Sequence, residues 1–206
     1  MESILVIGTG NRKKGQELAS LLATSGWTIR TLADFPNPID PEETGATFAD
    51  NASIKATSQA AHLGQWVLAD DSGLCVDSLQ GGPGVHSARF AGERCDNAAN
   101  NALLLKSLGD LPMERRGAQF VCTMALSDPT GTIRATSSGV VHGWIRYSLD
   151  GTNGFGYDPL FEIREYHRTF GVLPAAVKSI LSHRATAARR ILPELRNLRF
   201  EANGSR

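Results

Sequence analysis

The stretch WVLADDSG, from Trp66 to Gly73, constrains this chain more than any other. Four residues suited to a buried strand run straight into two adjacent carboxylates, and Ser72 with Gly73 reads as a turn of the chain. A strand that ends in Asp70 and Asp71 sets fixed oxygens at a sheet edge, where ligands of open α/β folds bind. Such hard oxygens suit Mg²⁺, and one of them can also take a proton from water. An isolated DDSG is equally compatible with a capped strand end and a solvated Asp71, so the rest of the chain has to decide.

Composition narrows the partners. Lys plus Arg equals Asp plus Glu, at 21 each, so no global field points to nucleic acid or to an anionic membrane, and any anion site is local. With 206 residues, 41% of them hydrophobic, the chain reads as one domain over residues 1–200 with a frayed tail at 201–206. Cys75, Cys95 and Cys122 are widely spaced and odd in number, which indicates neither a disulfide framework nor a zinc site. The start MESILVIGTGN lacks the basic and long apolar regions of a signal peptide, and no apolar run has membrane-spanning length. A cytoplasmic location is expected.

Ile4 to Ile7 reads as a buried strand, followed by the turn Gly8–Asn11 and by a helix with Leu18, Leu21 and Leu22 that stops at Gly26. Strand, glycine turn and helix start together make a place for phosphate, and Lys13 and Lys14 add charge. GTGNRK nevertheless lacks both the third glycine of a dinucleotide fingerprint and the GK-Ser/Thr of a P-loop. Trp27 to Leu32 is a second strand. The Pro-rich loop DFPNPIDPEETG carries Glu42 and Glu43, either of which can join Asp71 around a metal. Thr47 reads as an N-cap with Asp50 at N3, opening a helix through His62 that carries Asn51 and Lys55 on one side.

Further on, GGPG forces a loop before His86 and Arg89, and Asp96 caps a helix from Asn97 to Leu108. Phe120–Leu126 and Ile133–Val141 flank DPTG as a strand pair. In GTNGFGYDPLF, glycines let backbone approach a ligand, and Phe155 and Tyr157 offer flat faces to a planar one. Lys178 precedes Ser182, an N-cap candidate that sets His183 and Arg184 on the first turn of the last helix as a recognition corner. Pro193 is expected to end or kink that helix.

In order along the chain, TGNRKK, EETG with FADNASIKA, ADDSGL, GGPGVHSAR, GFGYDP and SHR closely resemble the motifs of the inosine triphosphate pyrophosphatases. The resemblance spans nearly the whole chain. It implies an α/β fold with an elongated central mixed β-sheet and flanking helices, in two lobes around an active-site cleft, and a homodimer. It also implies Mg²⁺-dependent hydrolysis of non-canonical purine nucleoside triphosphates, dITP/ITP and XTP/dXTP, to the monophosphate and pyrophosphate.

On this resemblance Asp71 is the general base and a metal ligand, with Glu42 as the second carboxylate and Glu43 as its rival. Thr9, Gly10, Asn11, Arg12, Lys13, Lys14, Lys55 and Ser72 hold phosphates. Phe155, Gly156, Tyr157, Asp158, Lys178, His183 and Arg184 enclose sugar and base. The chain departs from the pattern at Asn153, where Gly is usual, at Asp50, where Glu is common, and in PAAVKS, which lacks acidic residues before the Lys. The rival readings are a pyrophosphatase for other modified nucleotides and a nucleotide-binding protein of the same fold without turnover.

Overall fold

The structure, a computed structural model, describes residues 3–93 and 96–204, with side chains up to residue 200; Cys95 and the last two residues of the tail lie outside the described residues. Seven strands form one mixed sheet in the order β2-β1-β3-β4-β5-β6-β7. They are β1 (Ile4–Ile7), β2 (Thr28–Thr31), β3 (Trp66–Val76), β4 (Gly117–Ser127), β5 (Ile133–Ile145), β6 (Phe161–Ile163) and β7 (Arg168–Thr169). The helices are α1 (Arg12–Leu21), α2 (Phe48–Leu63), α3 (Asn97–Leu108), α4 (Ala175–Leu181) and α5 (His183–Gly204). β1 pairs in parallel with β2 and β3, whereas β5, β6 and β7 pair antiparallel. The mixed α/β architecture expected from the sequence is therefore present.

The chain divides into two compact units. The first gathers Met1–Asp71, Cys122–Gly139 and Arg184–Arg206; the second gathers Ser72–Val121 and Val140–His183. In the first, Leu5, Ile7 and Leu68 meet Leu18 of α1, Leu22 just past its end, and Ile191 and Leu195 of α5 in one buried cluster. Burying such a side chain fully is worth about 1.5–3 kcal/mol. Ala52 and Ala56 of α2 meet Ala69 and Ala125, small residues that let the helix approach the strands closely. In the second unit Phe120, Phe161 and Phe170 form the aromatic centre of a separate core, with Phe120 and Phe161 centroids 4.5 Å apart.

Helix α2 starts where the sequence says it should. Thr47 Oγ1 accepts the Asp50 N–H at 3.1 Å, and Asp50 Oδ2 accepts the Thr47 N–H at 3.1 Å, a reciprocal cap of two otherwise open donors. Thr47→Ala is expected to lose about 1 kcal/mol, or roughly 2–4 °C in Tm, read by thermal denaturation.

Three local expectations need correction. DDSG is not a turn, because β3 runs unbroken from Trp66 to Val76. Gly73, Leu74 and Val76 are buried, and Leu74 donates its N–H to Ser87 Oγ at 2.8 Å, so a reversal at Ser72 would strip core contacts and turn propensity yields. α1 ends at Leu21, short of Gly26. Of the end or kink expected at Pro193, the end does not occur: α5 continues to Gly204, with Ile191, Leu195 and Leu198 seated in the first unit's core.

Candidate active site

Two neighbouring aspartates of one strand point to opposite faces of the sheet, since side chains alternate along a strand. Both are buried, Asp70 at 1% and Asp71 at 5% exposure. Asp70 shares its face with Leu68 and the α1–α5 core; Asp71 shares its face with Ala69 and α2.

On the Asp70 face, Oδ2 lies 3.4 Å from Arg184 Nε and 3.7 Å from Lys14 Nζ, and the Cys122 thiol points at it from 3.9 Å. The guanidinium of Arg184 also donates from NH1 to Glu17 Oε2 at 2.8 Å. Burial alone would lower the pKa of Arg184, but Asp70 and Glu17 outweigh it and the net shift is upward. Burial likewise pushes the Cys122 thiol far up, with Asp70 adding to the rise, so this sulfur stays a thiol.

On the Asp71 face, Lys55 Nζ lies 3.1 Å from Asp71 Oδ1 and 2.9 Å from Glu43 Oε1, and Asn51 Nδ2 donates to Asp71 Oδ2 at 3.3 Å. Asn51 and Lys55 stand one helical turn apart on α2, which is why one face delivers both. Burial pushes the Asp71 carboxyl above the usual range; Lys55 and Lys14 pull it back without reversing the direction, and Glu43 adds to the rise. Burial also disfavours the Lys55 ammonium, yet Asp71, Asp70 and Glu43 together hold its pKa above the ordinary value. Both partners shift upward: at Asp71 burial, with Glu43 adding to it, outweighs the cations, and at Lys55 the surrounding carboxylates outweigh burial.

Glu42 and Glu43 differ in what they meet. Glu42 is exposed, and the loop carboxylate that meets Lys55 belongs to Glu43. Two α2 side chains fix that register: Asn51 Oδ1 accepts the Gly45 N–H at 2.8 Å and Gln59 Oε1 accepts the Ile39 N–H at 3.2 Å. A Cβ at Gly45 would sit 2.5 Å from Asp50 Cβ, so only glycine allows the approach.

At the start of α1, Gly8 passes so close to β3 that a Cβ would lie 2.7 Å from Val67 Cγ1. Thr9 Oγ1 accepts the Asn11 N–H, and Asn11 Oδ1 accepts those of Lys13 and Lys14 at 3.0 and 3.2 Å. The N-cap thus already engages two donors expected to be open. Gly10, Asn11, Arg12 and Lys13 are exposed, while Thr9 and Lys14 are half-buried.

In the second unit, Asp158 Oδ2 accepts the Phe155 N–H at 2.8 Å and the Lys178 ammonium, and Lys178 Nζ lies 4.6 Å from the Phe155 ring centroid. Tyr157 donates its hydroxyl to Ser87 O at 2.8 Å and is itself buried. Ser72 is half-buried on β3. His183 stacks on Phe120, with centroids 4.8 Å apart and planes 14° from parallel.

His183 and Arg184, expected as a recognition corner at a helix start, are 4% and 2% exposed. Their side chains are engaged by Phe120 on one hand and by Asp70 and Glu17 on the other. The expected pairing of Asn51 with Lys55 on one side of α2 holds, since both reach Asp71. Sequence reasoning missed Glu17, although it follows Lys14 by three residues, a spacing that places two residues on one helix face. Among the described residues no three His, Cys, Asp or Glu side chains converge as a metal cage, and no helix is long and apolar enough to cross a membrane.

Known proteins resemble this chain over most of its length. A protein of Rhodopirellula baltica named dITP/XTP pyrophosphatase is 53% identical over 194 residues, covering 94% of this chain and 93% of its own. One of the same name from Desulforamulus reducens is 46% identical over 194 residues, covering 94% and 96%. Among solved structures, the Staphylococcus aureus Ham1 protein superimposes with a TM-score of 0.84 at 35% identity, covering 95% of this chain and all of that one. The model of the Ham1 family matches residues 5–194, and the chain belongs to that family.

Proposed function

We propose that this protein hydrolyses non-canonical purine nucleoside triphosphates, dITP/ITP and XTP/dXTP, to the nucleoside monophosphate and pyrophosphate. The observation that carries the reading is the buried Asp71–Lys55–Glu43 cluster, supported by the names of the relatives. Asp71 is the base that orients and deprotonates the attacking water, and burial suits it to that task by raising its proton affinity. Lys14 and Lys55 balance charge that develops on the phosphates, with the α1 start (Thr9 to Lys13) and Ser72 as further phosphate contacts.

Glu43 and Asp71 fit Mg²⁺. Their oxygens already share one cation, the Lys55 ammonium, and Mg²⁺ commonly takes only one or two carboxylates together with substrate phosphates and water. When bound, the metal supplies charge neutralisation of the triphosphate.

For the base, the half-buried Phe155 offers a stacking face, and Lys178, aligned by Asp158, sets a donor beside that face. A 6-keto oxygen accepts from such a donor, whereas the 6-amino group of adenine sets donor against donor. That mismatch costs roughly 1–3 kcal/mol, about ten- to a hundredfold in discrimination. A homodimer in the cytoplasm completes the reading.

Pyrophosphate release from dITP, XTP, dGTP and dATP with Mg²⁺ at mildly alkaline pH tests it. Rapid turnover of dITP and XTP with little of the other two is expected. A protein that binds dITP yet turns over none of the four is a binding protein, and the hydrolase reading falls.

A further inference from the structure

Helix α3 carries two consecutive buried asparagines, Asn100 and Asn101, at 3% and 6% exposure. Asparagine is a poor helix former and its amide is costly to bury, so each needs a reason to be there. Asn100 has one on both ends of its amide: Oδ1 accepts the Ala91 N–H at 2.7 Å and Nδ2 donates to Ala88 O at 2.8 Å. Asn101 uses only half of its amide. Nδ2 donates to Gly156 O at 3.0 Å, while Oδ1 is buried with no partner among the described residues.

A buried acceptor left in that state keeps its full desolvation penalty. Leucine at 101 would avoid the cost, on the same helix face as the core residues Leu104 and Leu108. The second unit therefore keeps an unfavourable side chain for the sake of one contact, the one with Gly156.

That contact holds a peptide with little else to fix it. Gly156 has φ 62°, and a Cβ on it would meet nothing within 4 Å, so its backbone borders open space. Its neighbours are anchored by their own bonds, Phe155 N–H to Asp158 and the Tyr157 hydroxyl to Ser87 O. Without Asn101, the Gly156 carbonyl can swing, and the Phe155 ring next to it loses its fixed aspect.

We infer that Asn101 is a positioning residue for purine binding: its amide fixes the Gly156 carbonyl and so holds the 154–157 loop in the ligand-ready form before substrate arrives. The inference rests on the nucleotide-hydrolysis reading above. Its energetic logic is preorganisation, in which ordering that is complete before binding no longer weakens affinity. Asn101 touches no reacting atom, so its loss should appear in binding and not in chemistry.

Steady-state kinetics on dITP and XTP, dITP binding by calorimetry and thermal unfolding are compared for wild type, Asn101→Leu and Asn101→Asp. For Asn101→Leu, KM and Kd should rise about tenfold with kcat within about twofold, while Tm stays at or above the wild-type value. Asn101→Asp keeps the shape, removes the N–H and faces Gly156 O with an acceptor, so its Kd should rise at least as much. Wild-type Kd in both variants overturns the inference, and so does a rise in Kd only in step with a fall in Tm. Wild type that binds dITP without hydrolysing it strikes down the hydrolase reading alone, and Asn101 is then judged on Kd. Wild type that does not bind dITP removes both.

Discussion

Replacing Asp71 with asparagine is expected to lower kcat for dITP by about 10²- to 10⁴-fold, the range that a positioned general base contributes. The substitution keeps size and leaves Lys55 its partner Glu43, so dITP should still bind. Stability should move the other way. The fold raises the pKa of Asp71, so the protonated form favours the fold. That contribution is present below the ordinary carboxylate pKa and is lost as pH rises through the raised one. At the mildly alkaline pH of the assay the ionised carboxylate is therefore a net burden, and a neutral amide removes it. Asp71→Asn should be nearly inactive with a Tm no lower than the wild type. Single-turnover kinetics and thermal melts at the same pH measure both halves; a variant with more than a tenth of wild-type kcat would remove Asp71 from the role of base.

Arg184→Met is expected to have the largest effect on stability. The guanidinium is 2% exposed and faces two carboxylates, Asp70 and Glu17. Removing it leaves Asp70 buried with Lys14 at 3.7 Å as its remaining close cation. Breaking a buried pair from one side typically costs about 3–5 kcal/mol, or roughly 6–20 °C in Tm for a chain of this size. The double variant Asp70→Asn, Arg184→Met should recover part of that loss, because the stranded charge is gone. A single variant melting within 2 °C of wild type would show that the ion-pair network contributes little to the fold.

The parts of this molecule legible in the sequence are those encoded over a few consecutive residues. The apolar run of β1, the Thr47–Asp50 cap of α2 and the Asp96 cap of α3 lie where local chemistry dictates. What was not legible there is of another kind. Ser72 and Gly73 carry turn propensity, but buried Gly73, Leu74 and Val76 carry the strand past them. The choice between Glu42 and Glu43 depends on loop register, which has no periodicity of its own and is set by Asn51 and Gln59 from a distant helix face. His183 and Arg184 sit at the helix start as expected, yet their exposure is decided by Phe120, Asp70 and Glu17, none of them local in sequence.

The division of Asp70 and Asp71 between two faces has a consequence for how this chain can change over time. Two charges one residue apart make their close ion pairs on opposite sides, Asp70 with Lys14 and Arg184 and Asp71 with Lys55, which also holds Glu43. Strand register is the address system. A one-residue slip or insertion in β3 would turn each carboxylate to the opposite face and away from its own cations, because such a shift sends every side chain to the other side. Leu68 fits the large-residue core and Ala69 the close alanine layer, so the residues just upstream act as keys that reject the swapped setting. The strand can therefore tolerate substitutions far more readily than changes in length.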